Sequence, residues 1–159
     1  MTYHQDLSRN VSEPRGSALN VGWLDEHHAF PIRPPTERHL DLLWAHCSVL
    51  VLPTRGFHDC PFCAEQRRSF VRAGKRLRLG TAELRVFGNE GDVFAAPNLI
   101  FHYMAEHHYA PPPEFLRALE EGRDPAGECY RALLDARQLN WSENPTLTEE
   151  PTPLPLWEP

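Results

Sequence analysis

Long apolar runs are missing from this 159-residue chain, and nothing in it approaches the ~20 residues that a membrane helix needs. Residues 1–10 hold no apolar core of the kind a secretory signal requires, so no secretion signal is expected. The chain reads as cytoplasmic, with no membrane partner. A basic excess is also absent. The formal net charge is −6 and the sequence pI is about 5.8, which argues against general tracking of phosphate backbones. Familiar catalytic signatures are lacking as well. No G-x-S-x-G, no P-loop and no dinucleotide fingerprint occurs, and Glu106 beside His107 does not complete an H-E-x-x-H. Asp59 and Glu83 are single carboxylates without an identifiable partner, and no internal repeat is visible. Cysteine is scarce at four residues, of which only Cys60 and Cys63 are closely spaced. In a reducing compartment such a pair serves a metal or redox chemistry rather than a structural disulfide.

Proline is abundant, and it divides the chain. Its 16 residues concentrate at 31–35, at 111–113 and from 145 to the end. Residues 1–20 are polar and aperiodic and read as a mobile leader; residues 142–159 read as a Pro-rich acidic tail, extended or disordered. Between them, residues 21–141 are long enough to bury a core, and an α+β domain is expected there.

Local patterns fill in that domain. Thr36 is a helix N-cap, followed by Leu40, Leu43, Trp44 and Cys47 at helical spacing. Cys47 lies on the apolar stripe as a buried thiol, whereas His39 and His46 fall off it and are expected to face solvent. Residues 48–52 form a short strand ended by Pro53. After the cysteine pair, residues 64–73 are basic and helix-compatible. Strands are expected at 77–79, 83–87 and 93–95, with a turn at 88–92 making a hairpin. Pro97 suits a first helical position ahead of Leu99, Ile100, Tyr103 and Met104, and the prolines at 111–113 force that helix to end near His107 or His108. Pro113 opens a further helix stopped by Gly122, and Asp124-Pro125 opens another through Tyr130, Leu133 and Leu134.

The chemistry concentrates in Cys60-Pro61-Phe62-Cys63 and in His102 with His107. This is C-x2-C…H-x4-H, within the ligand spacing of structural zinc sites, and Zn²⁺ accepts thiolate and imidazole together in tetrahedral geometry. The order of knuckle, hairpin and helix resembles treble-clef and related zinc fingers. Residues five apart on an α-helix sit ~140° apart around its axis, so both histidines reach one metal only if the last turn loosens. His108 is the rival fourth ligand and His58 the rival third. A thioredoxin-like reading of the cysteine pair needs a βαβ unit, which is not visible. A Cys2His2 set fills four positions, which makes the metal a fold staple rather than a Lewis acid. The cations Arg67, Arg68, Arg72, Lys75, Arg76 and Arg78 form a run that reads as a solvated face, or alternatively as a docking patch for an acidic partner or nucleic acid.

Residues 55–63, 79–86, 95–103 and 107–112, together with Val21-Gly22-Trp23-Leu24, resemble a family of uncharacterised small bacterial proteins. The resemblance spans about two thirds of the chain and implies Cys60, Cys63, His102 and His107 as shared ligand positions. It implies no activity, and the Pro-rich tail departs from it. The expectation is a non-enzymatic zinc-binding protein that acts through a protein partner, in an immunity or regulatory role. The alternatives are a nucleic-acid-binding finger using the basic run, and a zinc-dependent hydrolase or nuclease with an open metal position and His58 as its base.

Overall fold

In the computed structural model, residues 2–13 and 16–148 are described. They form a mixed α+β fold with four helices and two sheets. The larger sheet has the order β1 (Leu19–Asn20), β6 (Val93–Pro97), β5 (Glu83–Phe87), β2 (Val49–Val51), β7 (Trp141–Glu143). Its β1–β6 pair is parallel, and the others are antiparallel. β3 (Ser69–Arg72) and β4 (Lys75–Arg78) make a separate hairpin.

Alternation along β5 and β6 splits the core in two, because successive side chains point to opposite faces of a sheet. Leu84, Val86, Phe94 and Ala96 join a cluster with α1 (Glu37–His46), α2 (Ile100–His107) and α3 (Pro113–Glu121). Phe87, Val93 and Ala95 join Val49, Val51, Tyr130 and Leu134 on the other face, beneath α4 (Glu128–Ala136). The Thr36 hydroxyl accepts from the His39 amide at 3.1 Å, which starts α1 where the sequence places it. Gly122 ends α3, as expected.

Several local expectations need correction. Residues 69–72 are a strand, not part of a helix. Phe70 points inward and Val71 outward, and Ala73 and Gly74 both take positive φ, at 50° and 74°, as the two-residue turn of a hairpin. Pro97 closes β6 instead of opening α2. It pairs with Glu83, and the amide of Asn98 next to it donates to the Ala82 carbonyl. The proline is tolerated there because β1 contacts only Phe94 and Ala95 on the other side of β6. Asp124-Pro125 forms a turn, with the Gly127 amide donating to Asp124, and α4 begins at Glu128. His46 is buried, not solvent-facing: its Nδ1–H donates to the Leu42 carbonyl at 2.8 Å and its ring meets Tyr130 edge-on. Burial lowers its pKa.

Residues 2–13 and 16–20 are not a loose leader. β1 adds to the sheet, the Asp6 carboxylate accepts from the Gly22 amide and the Tyr109 hydroxyl, and Asn10 donates to Asn20. The strongest tie is electrostatic. Arg85, on β5, is completely buried. Its Nε donates to Glu13 Oε1 at 2.5 Å, and its Nη1 donates to Glu83 Oε1 at 3.0 Å. Arg137 donates to Glu13 Oε2 at 2.7 Å, while Arg85 Nη2 is buried without an acceptor among the described residues. A buried guanidinium needs such partners, since stripping its water is otherwise expensive. At the other end, β7 carries the ordered chain past residue 141. Asn144 donates to Cys47 and Arg78 carbonyls, and Leu147 pairs with Arg76. The remainder of the expected tail, residues 149–159, lies outside the described residues.

Candidate metal centre

The cysteine turn is locally specified. The Phe62 amide donates to Cys60 Sγ at 3.4 Å, as in a knuckle that turns both sulfurs to one side. The Gln66 side chain braces it by accepting from the Cys60 amide at 3.0 Å and donating to the Cys60 and Cys63 carbonyls. The turn is fixed to the sheet by a short relay. The His58 amide donates to the Gly80 carbonyl, and the Gly80 amide donates to the Asn98 side chain at 2.7 Å. Gly80 has φ +84°, and a Cβ there would lie 2.5 Å from the His58 carbonyl oxygen, so no other residue fits. Asn98 is fully buried two residues ahead of α2, so this relay sets the knuckle against the helix carrying the histidines.

Helix α2 resolves the five-residue spacing at its last turn. His108 takes the left-handed conformation (φ 55°), and its amide and that of Tyr109 both reach back to the Tyr103 carbonyl. A bond to the fifth residue back widens the turn, which narrows the angular gap between His102 and His107. The two Nε2 atoms come within 3.3 Å, with the rings nearly perpendicular.

The four donor atoms converge. Cys63 Sγ lies 3.3 Å from each Nε2, Cys60 Sγ lies 3.4 Å from His107 Nε2, and all four are within 4.8 Å of one another. Metal–sulfur bonds of about 2.3 Å and metal–nitrogen bonds of about 2.0–2.1 Å give tetrahedral edges of roughly 3.4 Å between nitrogens and 3.5 Å between nitrogen and sulfur. The four edges given above, 3.3–3.4 Å, lie close to those figures. Ordinary hydrogen bonding does not explain the cluster. His107 Nε2 faces three polar atoms at 3.3–3.4 Å but has one in-plane bonding direction to offer. A Cys2His2 cluster of this geometry could hold a metal ion.

Protonation states suit that role. Burial, then the neighbouring His107 and Arg67, lowers the His102 pKa to about 4, and burial lowers that of His107, so both rings are neutral with a lone pair available at neutral pH. Burial pushes the Cys60 thiol up to about 11, so it awaits a cation to become a thiolate. Around the donors, Phe70 packs on His102 and Phe62 on His107. Glu106 Oε2 stands 3.4 Å from His102 Nδ1, and Glu106 is itself paired with Arg67. His102 Nδ1 is buried with no hydrogen-bond partner among the described residues, and Glu106 is the carboxylate beside it. Neither Gln66 nor this use of Glu106 was visible in the sequence. Glu106 at i+4 from His102 was the signal for the second.

The rivals lie elsewhere: His108 is exposed at the helix end, and His58 lines a separate cavity beside Glu83. The cations of the basic run have partners within the protein. Arg67 pairs with Glu106, Arg68 stands over the Phe57 ring near Asp59, and Arg72 pairs with Glu37 and Asp41. Lys75 donates to Ser48, Arg76 to Ser69, and Arg78 stacks toward Phe57. Among the described residues no helix is long and apolar enough to cross a membrane.

Fold and cluster together define an α+β protein with a Cys2His2 centre joining a knuckle to a helix end. Residues 2–120 match the family described as a domain of unknown function (DUF7919), and the chain belongs to that family. No curated protein and no solved structure matches the chain.

Proposed function

We propose that Cys60, Cys63, His102 and His107 hold one Zn²⁺ as a structural staple, and that the protein is non-enzymatic and acts by binding another protein. The convergence of two sulfurs and two imidazole nitrogens on tetrahedral edges carries the metal reading. Zinc suits this donor set better than harder cations, which prefer oxygen. Bound zinc would turn both thiols into thiolates, and its two charges would be balanced within the centre. That leaves Glu106 free to pair with Arg67. With four protein donors no position remains for water, which favours a staple over a hydrolytic site. The treble-clef likeness of knuckle, hairpin and helix belongs to the same reading.

The partner reading rests on surface chemistry. Ile32 and Val71 expose large apolar side chains at 72% and 54%, on a chain of net charge −6. An immunity or regulatory role in the cytoplasm accords with this. The nucleic-acid alternative is weakened by the internal pairing of Arg67, Arg68 and Arg72. Elemental analysis of protein purified without added metal tests the staple, with about one zinc per chain expected. Cys63→Ser and His107→Ala should each lose the metal and unfold at lower temperature, while His58→Ala keeps both. Folded protein free of metal would end the reading. Capture of a protein from the native host by wild type, but not by an Ile32→Asp/Val71→Asp double variant, tests the partner.

A further inference from the structure

A cavity of about 400 Å³ lies at the end of β5, on the sheet face opposite α1–α3, and the metal centre makes no use of it. Its walls come from three distant stretches: His4, Asn10 and Trp23 from the N-terminal region, Thr54 and His58 from the approach to the knuckle, and Ala82, Glu83 and Pro97 from the sheet. Glu83 is the one carboxylate among the described lining residues. Its Oε1 is held by Arg85 Nη1 at 3.0 Å, while Oε2 accepts no hydrogen bond among the described residues. Among the described residues Arg85 pairs with Glu13 and Glu83 while its Nη2 keeps no acceptor, and Arg137 pairs with Glu13. Trp23 is fixed as an aromatic wall: its indole N–H donates to the Ala95 carbonyl at 3.0 Å, and the His4 ring meets it edge-on.

We propose that this cavity binds a small organic cation, an alkylammonium or guanidinium group, with Glu83 Oε2 as its acceptor and Trp23 as its aromatic wall. A pre-oriented carboxylate beside a tryptophan favours positive charge. Burial raises the Glu83 pKa although Arg85 opposes it, so ionisation of this carboxylate bears a desolvation cost. A bound cation would relieve that. Asn10 and Thr54 in the same lining offer hydrogen bonds that orient a ligand rather than charge. This inference is independent of the metal reading.

Titration of the full ¹⁵N-labelled chain with n-propylammonium, methylguanidinium or propionate, followed through the Trp23 indole cross-peak, tests it. Saturable shifts are expected with the two cations and none with propionate. Glu83→Gln should weaken cation binding at least tenfold with the spectrum otherwise retained. Should that variant fail to fold, Ala82→Met, which fills the cavity and keeps the charge, should abolish the shift. A Gly-Lys-Gly peptide binding more tightly than n-propylammonium would make a partner's lysine the occupant, and weaker binding would make it a free amine. Equal response to propionate, or cation binding unaltered in Glu83→Gln or in a folded Ala82→Met, overturns the proposal.

Discussion

Replacing Glu13 isolates the consequence of burying Arg85. The guanidinium is wholly inaccessible and Glu13 is 3% exposed, so water cannot take the place of the lost carboxylate. Breaking a buried pair from one side typically costs about 3–5 kcal/mol, because the remaining charge stays desolvated. Glu13→Ala should fall in that range. Glu13→Gln, which can still accept from Nε but carries no charge, should lie at or just below its lower end. Arg137 reaches solvent with 22% exposure, so Arg137→Ala should cost only about 1–2 kcal/mol. Converting both buried partners, as Glu13→Leu with Arg85→Met, should recover much of the single-variant loss, since apolar replacement of a buried pair is often neutral. Urea denaturation followed by circular dichroism measures each value. The same reasoning reverses what sequence composition suggests for removing residues 1–18, a loss below ~1 kcal/mol, because Glu13 leaves with them. Losses under about 1 kcal/mol for both Glu13→Ala and the deletion would refute the argument.

Three further outcomes follow from the same structure. Glu106→Gln should leave the fold intact and weaken zinc retention by about 10–100-fold in competition with a chelator, because it removes the negative charge beside His102 Nδ1. His108→Gly should raise stability by roughly 0.5–1 kcal/mol in thermal denaturation, since His108 holds a left-handed conformation that glycine adopts freely. Stability should fall as pH drops below neutrality. His46 has its pKa lowered by burial and must take up a proton on unfolding, so its contribution is lost as pH falls below its ordinary value of 6.5. Burial alone would raise the Glu13 pKa, but Arg85 and Arg137 hold it below its ordinary 4.5, so its contribution is lost at lower pH still. Glu83, with a raised pKa, runs in the opposite direction. Urea midpoints at pH 7, 5.5 and 4 should therefore decline, and Glu13→Gln should flatten the lower part of the decline.

What the sequence determined by itself is what short-range physics controls. Thr36 ahead of an apolar stripe, the turn at 88–92, Gly122 and the prolines at 111–113 each act within one or two turns of chain, so α1, the β5–β6 hairpin, α3 and the end of α2 were legible. The spacing of Cys60 and Cys63 is likewise a property of one tight turn. Tertiary structure alone decided the rest. Residues 69–72 became a strand because Phe70 found the core and because Ala73-Gly74 could close a hairpin against β4. His46 went inward because Tyr130, from α4, lay opposite it, and the helical stripe held no trace of that contact. The polar first twenty residues looked dispensable because their reason for order is a charge on β5, 72 positions away from Glu13. The cavity at Glu83 is lined by three stretches remote from one another, and its carboxylate oxygen without a hydrogen-bond donor among the described residues is a fact of packing. Local steric preference acts between neighbours in sequence, whereas the demand of a buried charge for a partner is met wherever the fold can supply one.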